Sequence, residues 1–351
     1  MTLSIVIPVY QTPSALLREC IGSCLGIGDT EIICVCDSPG DACENTLREI
    51  AEENKTVKVL VNDGNRGVSY SRNHGLAAAV GKFVTFIDAD DSIVPEVYEK
   101  GVDIIGESTL DALALGGINE VAGLQQGSIV ISDCNDVDAG KLMSFLECVG
   151  MSSCSILYRR EFLVRERICY STRLKNNEDF LFVTTVVKAG SRFGLYYASG
   201  YVQHGHPGST TRRPPDAERF LSCVTAANMV LDILRQKEFP GIVLAWYAKR
   251  VFWEMTQSLD LFTTLGKEER EKYAQLLGSA SNDFRKIFDG VLSPLGKCLT
   301  LFLAHFPSVY LLSPWLIARP LWHFGVDKII RSDWREIPPR MRKHTVRSNC
   351  G

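Results

Sequence analysis

The chain has 351 residues, 46% hydrophobic and 23% charged, a globular profile with room for one large domain or two ordinary ones. Its formal net charge of -3 supplies no overall basic field, which argues against a dedicated nucleic-acid binder. The 12 cysteines form no C-x-x-C pair, so neither a zinc site nor a dithiol motif is indicated, and most are expected to be small buried hydrophobes in a reducing cytosol.

The opening run at 4–9 reads as a strand. Pro8 interrupts it before a secretory apolar region forms and no basic leader precedes it, so a cytosolic placement is expected. Short β-branched runs at 4–9, 31–36, 57–61 and 83–87 alternate with helical stretches at 14–25, 42–53, 69–80 and 95–105. This alternation predicts an α/β fold with a mostly parallel sheet flanked by helices, in which ligands sit outside the carboxyl ends of the strands. Pro8-Val9-Tyr10, Asp37 and Asp88 to Asp91 all fall at such ends. Cys34 and Cys36 alternate within a strand pattern and share one face.

Past residue 110 the pattern is less regular. Apolar runs occur at 113–118, 128–131 and 155–158, followed by a helix at 178–189, a strand at 193–202 and a polar loop from His204 to Thr211. Helical periodicity then dominates, at 220–235, 243–261, 267–277 and 282–288. The shift at Arg212-Arg213-Pro214-Pro215 divides an α/β domain at 1–215 from a helical C-terminal region at 216–351. The apolar stretch 299–317 approaches membrane-spanning length but contains His305, Pro307 and Pro314. It reads either as an interfacial segment at a bilayer surface, edged by Trp315, Arg319, Trp322, Lys328 and Arg331, or as a buried helical hairpin.

The densest chemistry is in FIDADD, where an apolar run ends in Asp88-Ala89-Asp90-Asp91. Hard oxygen donors suit Mg²⁺ or Mn²⁺, and Mg²⁺ usually takes one or two carboxylates while substrate phosphates complete its shell. The same residues also suit a turn in which Asp91 or Ser92 caps the helix that begins near Pro95. In NRGVSYSRNHG, glycines permit close backbone approach and the following helix presents a positive N-terminal end. Arg72 within it serves equally as a charge contact to a nucleotide or as a structural ion pair. Asn177-Glu178-Asp179 opens a helix, where acids are favourable through the helix dipole alone. Asp37 by itself fits a turn or helix start.

Taken in order, SIVIPVY, CDSPGD, NRGVSYSRNHGL, FIDADD and NEDFLF resemble the motif set of the inverting GT-A glycosyltransferases of family 2, over roughly residues 1 to 211. The resemblance implies a GT-A (Rossmann-like) fold with a helical extension. It also implies a nucleotide-sugar donor, with UDP favoured, and transfer to a glycan or lipid-linked oligosaccharide with inversion, as in bacterial surface-polysaccharide synthesis. Pro8 and Tyr10 would wall the base, and Asp37 would accept from its N3–H. This chain has Ser38-Pro39 where the family commonly has Gly-Ser after the acids. Asp90 would ligate Mg²⁺ or Mn²⁺, Asp88 would face the ribose or assist at the metal, and Asp91 would lie behind them. Asp179 would be the general base, with Glu178 positioning the acceptor. His206, with Ser209 and Thr210, would lie near the diphosphate, and His204 carries less weight. Membrane contact would be peripheral, at the cytosolic face.

Two other functions share parts of this pattern. A sugar nucleotidyltransferase needs similar acids, but Tyr10-Gln11-Thr12-Pro13 is not the glycine-rich basic loop that grips a triphosphate. A non-catalytic carbohydrate-binding subunit would keep the fold without needing Asp37, Asp88, Asp90 and Asp179 together.

Overall fold

The computed structural model describes residues 1–116, 118–119, 129–133, 139–150, 152–190, 192–204, 217–256 and 265–305. The first half alternates strand and helix: β1 (Leu3–Val9), α1 (Ser14–Cys24), β2 (Thr30–Cys36), α2 (Ala42–Glu53), β3 (Val57–Val61), α3 (Val68–Ala78), β4 (Phe83–Phe86), β5 (Ser92–Ile93) and α4 (Pro95–Glu107). Then come β6 (Ala112–Leu115), β7 (Ile118–Asn119), β8 (Ile129–Asp133), α5 (Ala139–Val149), β9 (Ile156–Arg159), α6 (Arg160–Arg165), α7 (Glu178–Lys188), β10 (Arg192–Tyr196) and β11 (Tyr201–Val202). Four helices follow: α8 (Ala217–Leu234), α9 (Gly241–Thr256), α10 (Lys267–Phe288) and α11 (Pro294–His305).

The larger sheet has the order β3-β2-β1-β4-β9-β6-β10-β8. β3, β2, β1 and β4 run parallel, β9 is antiparallel to both of its neighbours, β10 is parallel to β6, and β8 closes the far edge antiparallel. β2 is buried along its whole length and β1 nearly so, as expected of central parallel strands covered on both faces. The register pairs Val9 with Cys36 and Cys36 with Val61, so Tyr10, Asp37 and Asn62 leave the sheet side by side. α3 lies against β1 because Gly75 has no side chain: a Cβ there would sit 2.3 Å from Val6 Cγ1.

A second sheet, β5-β11-β7, joins the residues just after the acidic strand end to Tyr201 and Val202. The strand expected at 193–202 is thus two strands in two sheets. The chain turns between them, with Ala198 N–H donating to Tyr196 O at 2.8 Å, and Gly200 packs on Val97 and Tyr98 where a Cβ would be 2.8 Å from Val97 Cγ1.

The apolar interior is continuous on the α3 and α7 side. It runs from Val6, Val84 and Phe86 through Phe180 and Phe182 to Val230, Tyr247, Phe284 and Phe288 of the C-terminal helices. A second cluster fills the opposite face beneath α1, α2 and α4. The helices expected at 267–277 and 282–288 are one helix, since Ala280 and Ser281 are buried and packing carries the chain through a stretch of modest propensity. Cys34 and Cys36 are both buried in β2, and the ten described cysteines are free thiols. No helix among the described residues is long and apolar enough to cross a membrane. Most of the segment 299–317, and all of the edge from Trp315 to Arg331, lies outside the described residues.

Candidate active site

The site is built at the carboxyl edge of β1, β2, β3 and β4. Directly after β2, the Asp37 N–H donates to Val9 O at 2.8 Å. Its carboxylate accepts from Asn62 Nδ2 at 2.6 Å, Arg66 N–H at 2.9 Å and Gly67 N–H at 2.7 Å. Gly67, with φ of 85°, takes a conformation that glycine enters without penalty and so turns two successive backbone donors toward one acceptor. Asp37 therefore shapes the loop leading into α3. Tyr10 is 47% exposed on the neighbouring strand end, with Pro8 half-buried before it. Arg66 lies over the Tyr70 ring at 4.4 Å.

Arg72, on the first turns of α3, organises the centre. Its guanidinium reaches Asp88 Oδ1 through Nη2 at 2.8 Å, and Glu178 Oε1 and Asp179 Oδ1 through Nη1 at 2.8 and 3.1 Å. The side chain is 3% exposed, and the guanidinium faces the Tyr170 ring at 5.0 Å. Burial disfavours the charged form, but Asp179 and Asp88 outweigh it and hold Arg72 cationic. A nucleotide contact was one of two expectations for this residue. The other was a structural ion pair, and in the structure Arg72 is enclosed by the protein's own acids as their common counter-charge. Glu178, only 12% exposed and bound to the same nitrogen as Asp179, belongs to this buried network, where the sequence placed it at an acceptor.

One guanidinium thus brings the acid after β4 together with the two acids at the start of α7. Asp179 sits at the first turn of α7 with a quarter of its side chain exposed. Its Oδ1 also accepts from Ser153 Oγ at 2.6 Å, and that hydroxyl accepts in turn from the Tyr170 phenol at 2.6 Å. Desolvation pushes its carboxyl up to about 7. The Glu178 and Asp88 charges add to the rise, and Arg72 and Ser153 oppose it. A carboxylate titrating near neutrality is well matched to taking a proton from a hydroxyl. Tyr170 stacks on Phe182 at 4.1 Å, and Asn73 beside Arg72 clamps its backbone by bonds of 2.9 and 2.8 Å.

After β4 the acids divide. Asp88 is 40% exposed beyond its bond to Arg72, and Asp90 is half-buried. Asp91 is buried, accepting from the Tyr201 phenol at 2.7 Å and from His204 N–H at 2.8 Å. Burial raises its carboxyl to about 7, the Asp88 charge adding to this. Tyr201 also accepts from Asp88 N–H at 3.2 Å, so Asp91 fixes the strand end from behind. His204 packs on this support, with Nε2 2.8 Å from Ser92 Oγ. His206, Ser209 and Thr210 lie outside the described residues.

Among the described residues no three His, Cys, Asp or Glu side chains form a metal cage by themselves. The donor set nevertheless fits a hard divalent cation: two carboxylates at one strand end, reachable from solvent, beside a cluster where three acids share one guanidinium. Sequence reasoning did not find Asn62, Asn73, Ser153, Tyr170 or Tyr201. Only the NRGVSYSRNHG motif, which contains Asn73, offered any signal for them.

The architecture and its acid-lined strand ends define a GT-A type α/β fold. Comparison with known proteins agrees. The model of Glycosyl transferase family 2 matches residues 4–163, and that segment is similar to this family. It is 24% identical over 223 residues to the uncharacterized glycosyltransferase EpsJ of Bacillus subtilis, covering 60% of this chain and 63% of that protein. It is 29% identical over 190 residues to a poly(ribitol-phosphate) beta-glucosyltransferase of Bacillus spizizenii, covering 52% of this chain and 29% of that one. The chain thus spans less than two thirds of the length of these relatives. The crystal structure of S. aureus TarS 1-349 in complex with UDP-GlcNAc superimposes with a TM-score of 0.67 at 20% identity, covering 86% of this chain and 87% of that one.

Proposed function

We propose that the chain is an inverting glycosyltransferase that moves a sugar from a nucleotide-diphosphate donor, with UDP favoured, to a hydroxyl of a glycan or lipid-linked acceptor. The observation that carries this reading is the Arg72 bridge, which holds Asp88 and Asp179 on one guanidinium although they are far apart in sequence. Relatives named for surface-polymer synthesis support the reading, among them a succinoglycan biosynthesis protein of Rhizobium meliloti that is 23% identical over 222 residues. So do the UDP and UDP-GlcNAc titles of the similar TarS structures.

In this reading Tyr10 and Pro8 wall the base and Asp37 holds the loop and the base edge beside them. Asp88 and Asp90 would hold Mg²⁺ or Mn²⁺. Such an ion neutralises charge on a departing diphosphate. Asp179, ionised above about pH 7, takes the proton of the acceptor hydroxyl as its oxygen attacks the anomeric carbon from the face opposite the diphosphate. Ser153 and Arg72 fix Oδ1 of that carboxylate, so the proton goes to its other oxygen. One displacement inverts the anomeric centre and needs no covalent enzyme intermediate. The α/β domain at 1–215 supplies this chemistry, with His206 assigned to the diphosphate. The helical region at 216–351 carries peripheral contact with the cytosolic membrane face.

Screening UDP- and GDP-sugars for metal-dependent thermal stabilisation and transfer identifies the donor. Asp179→Asn is then expected to bind UDP as tightly as the parent while transfer falls by about 100-fold or more, the scale of a lost general base. Retained transfer in that variant would place the base elsewhere.

A further inference from the structure

The C-terminal helices touch the segment that delivers Asp179 in a way the proposed reaction does not require of a mere extension. The Ser222 hydroxyl of α8 accepts from Lys175 N–H at 3.1 Å and from Asn176 N–H at 3.0 Å, and donates to Asn176 O at 2.8 Å. A hydroxyl has one donor and two acceptor sites, so every one of them is used by this loop. One residue further on, Asn177 caps α7 with φ of 62°, a left-handed conformation costly for any residue but glycine and most accessible to Asn or Asp. Its Nδ2 donates to Glu254 Oε2 at 2.7 Å. Glu254, on α9, is 1% exposed and is paired with Arg250 at 2.7 Å. A buried carboxylate reaching across to hold a left-handed residue is an expensive arrangement. It stands immediately before Glu178 and Asp179.

We infer that Ser222 and Glu254 are positioning residues for the catalytic base: α8 and α9 fix the backbone at 175–177 so that the first turn of α7 presents Asp179 to the cleft. This rests on the reading of Asp179 as the base. It makes the helical region part of the catalytic apparatus and implies that the α/β portion alone holds Asp179 poorly.

The test uses the full chain. Hydrogen–deuterium exchange is followed in the peptide covering 174–182 for Ser222→Ala, Glu254→Leu, Asn177→Gly and the Glu254→Leu/Asn177→Gly double variant. Phe284→Leu, in the shared core on α10, is the control. Exchange in that peptide is expected to rise by about tenfold for Glu254→Leu, the change one buried hydrogen bond commands, and by at least as much for Ser222→Ala, which removes three. The double variant should not exceed Glu254→Leu, because that change already removes the contact that Asn177→Gly deletes. In transfer assays with the donor found by screening, kcat falls at unchanged donor KM, and Glu254→Gln, which still accepts from Asn177, restores it. Unchanged exchange at 174–182, or an equal rise in Phe284→Leu, would overturn the inference. If Asp179→Asn itself retained turnover, the base assignment would fail, while the exchange data would still decide whether α8 and α9 anchor the segment.

Discussion

Replacing Arg72 by Met removes the one cation shared by Asp88, Glu178 and Asp179 while keeping a long flexible side chain in the space. Breaking a buried ion pair by deleting one partner typically costs about 3–5 kcal/mol, because the remaining charge has no compensation. The loss should depend on pH. Asp179 already titrates near 7, well above the ordinary carboxylate range, so its burial contributes stability at low pH that is lost as pH rises through the folded value. Arg72 opposes that rise. At an effective dielectric of about 20, unit charges about 4 Å apart interact by roughly 4 kcal/mol, and one pKa unit is about 1.4 kcal/mol. Even if a third of this survives solvent relaxation, Asp179 in the variant moves up by about one unit. Urea unfolding should therefore show a larger deficit at pH 8 than at pH 5, where the carboxyl is protonated with or without Arg72. The acid limb of kcat/KM should move toward higher pH. An acid limb that stays in place or moves down, or a deficit equal at both pH values, would refute the role given to Arg72.

Two further substitutions probe the cleft and its scaffold. Asp90→Asn should weaken UDP binding in the presence of Mn²⁺ by about tenfold or more, since outer-shell changes alone cost metal sites that much, and calorimetric titration showing equal affinity would remove Asp90 from the metal site. Gly75→Ala should destabilise the fold by about 1–3 kcal/mol despite the better helix propensity of Ala, because its Cβ would meet Val6 Cγ1 at 2.3 Å. Denaturant melts check this, and adding Val6→Ala should recover part of the loss.

The strand–helix alternation and the location of the site at the carboxyl edge were legible because both depend on local periodicity. Buried β1 and β2 read directly as apolar runs, and the acids of FIDADD mark the end of β4 without any knowledge of their neighbours. What joins those acids is not local. Arg72 meets Glu178 and Asp179 across 106 and 107 residues of sequence, and Asn73 meets Tyr170 across 97. No spacing rule spans such distances, so a central ion-pair hub and a nucleotide-facing Arg looked alike in sequence. Asp37 shows the same ambiguity in milder form: its position was readable, but its hold on the Arg66 and Gly67 amides depends on how β2 and α3 meet. The insertion of β9 between β4 and β6 was equally hidden, because its residues are apolar in any sheet position. The break between Tyr196 and Tyr201 depends on packing against α4, which an uninterrupted β-like sequence does not reveal.

In the proposed reaction Asp179 activates an acceptor hydroxyl for direct attack opposite the leaving diphosphate. The anomeric coupling constant in the proton NMR spectrum of the product made from an α-linked UDP-sugar tests it most directly. A β linkage is expected, and an α linkage would rule out the single displacement.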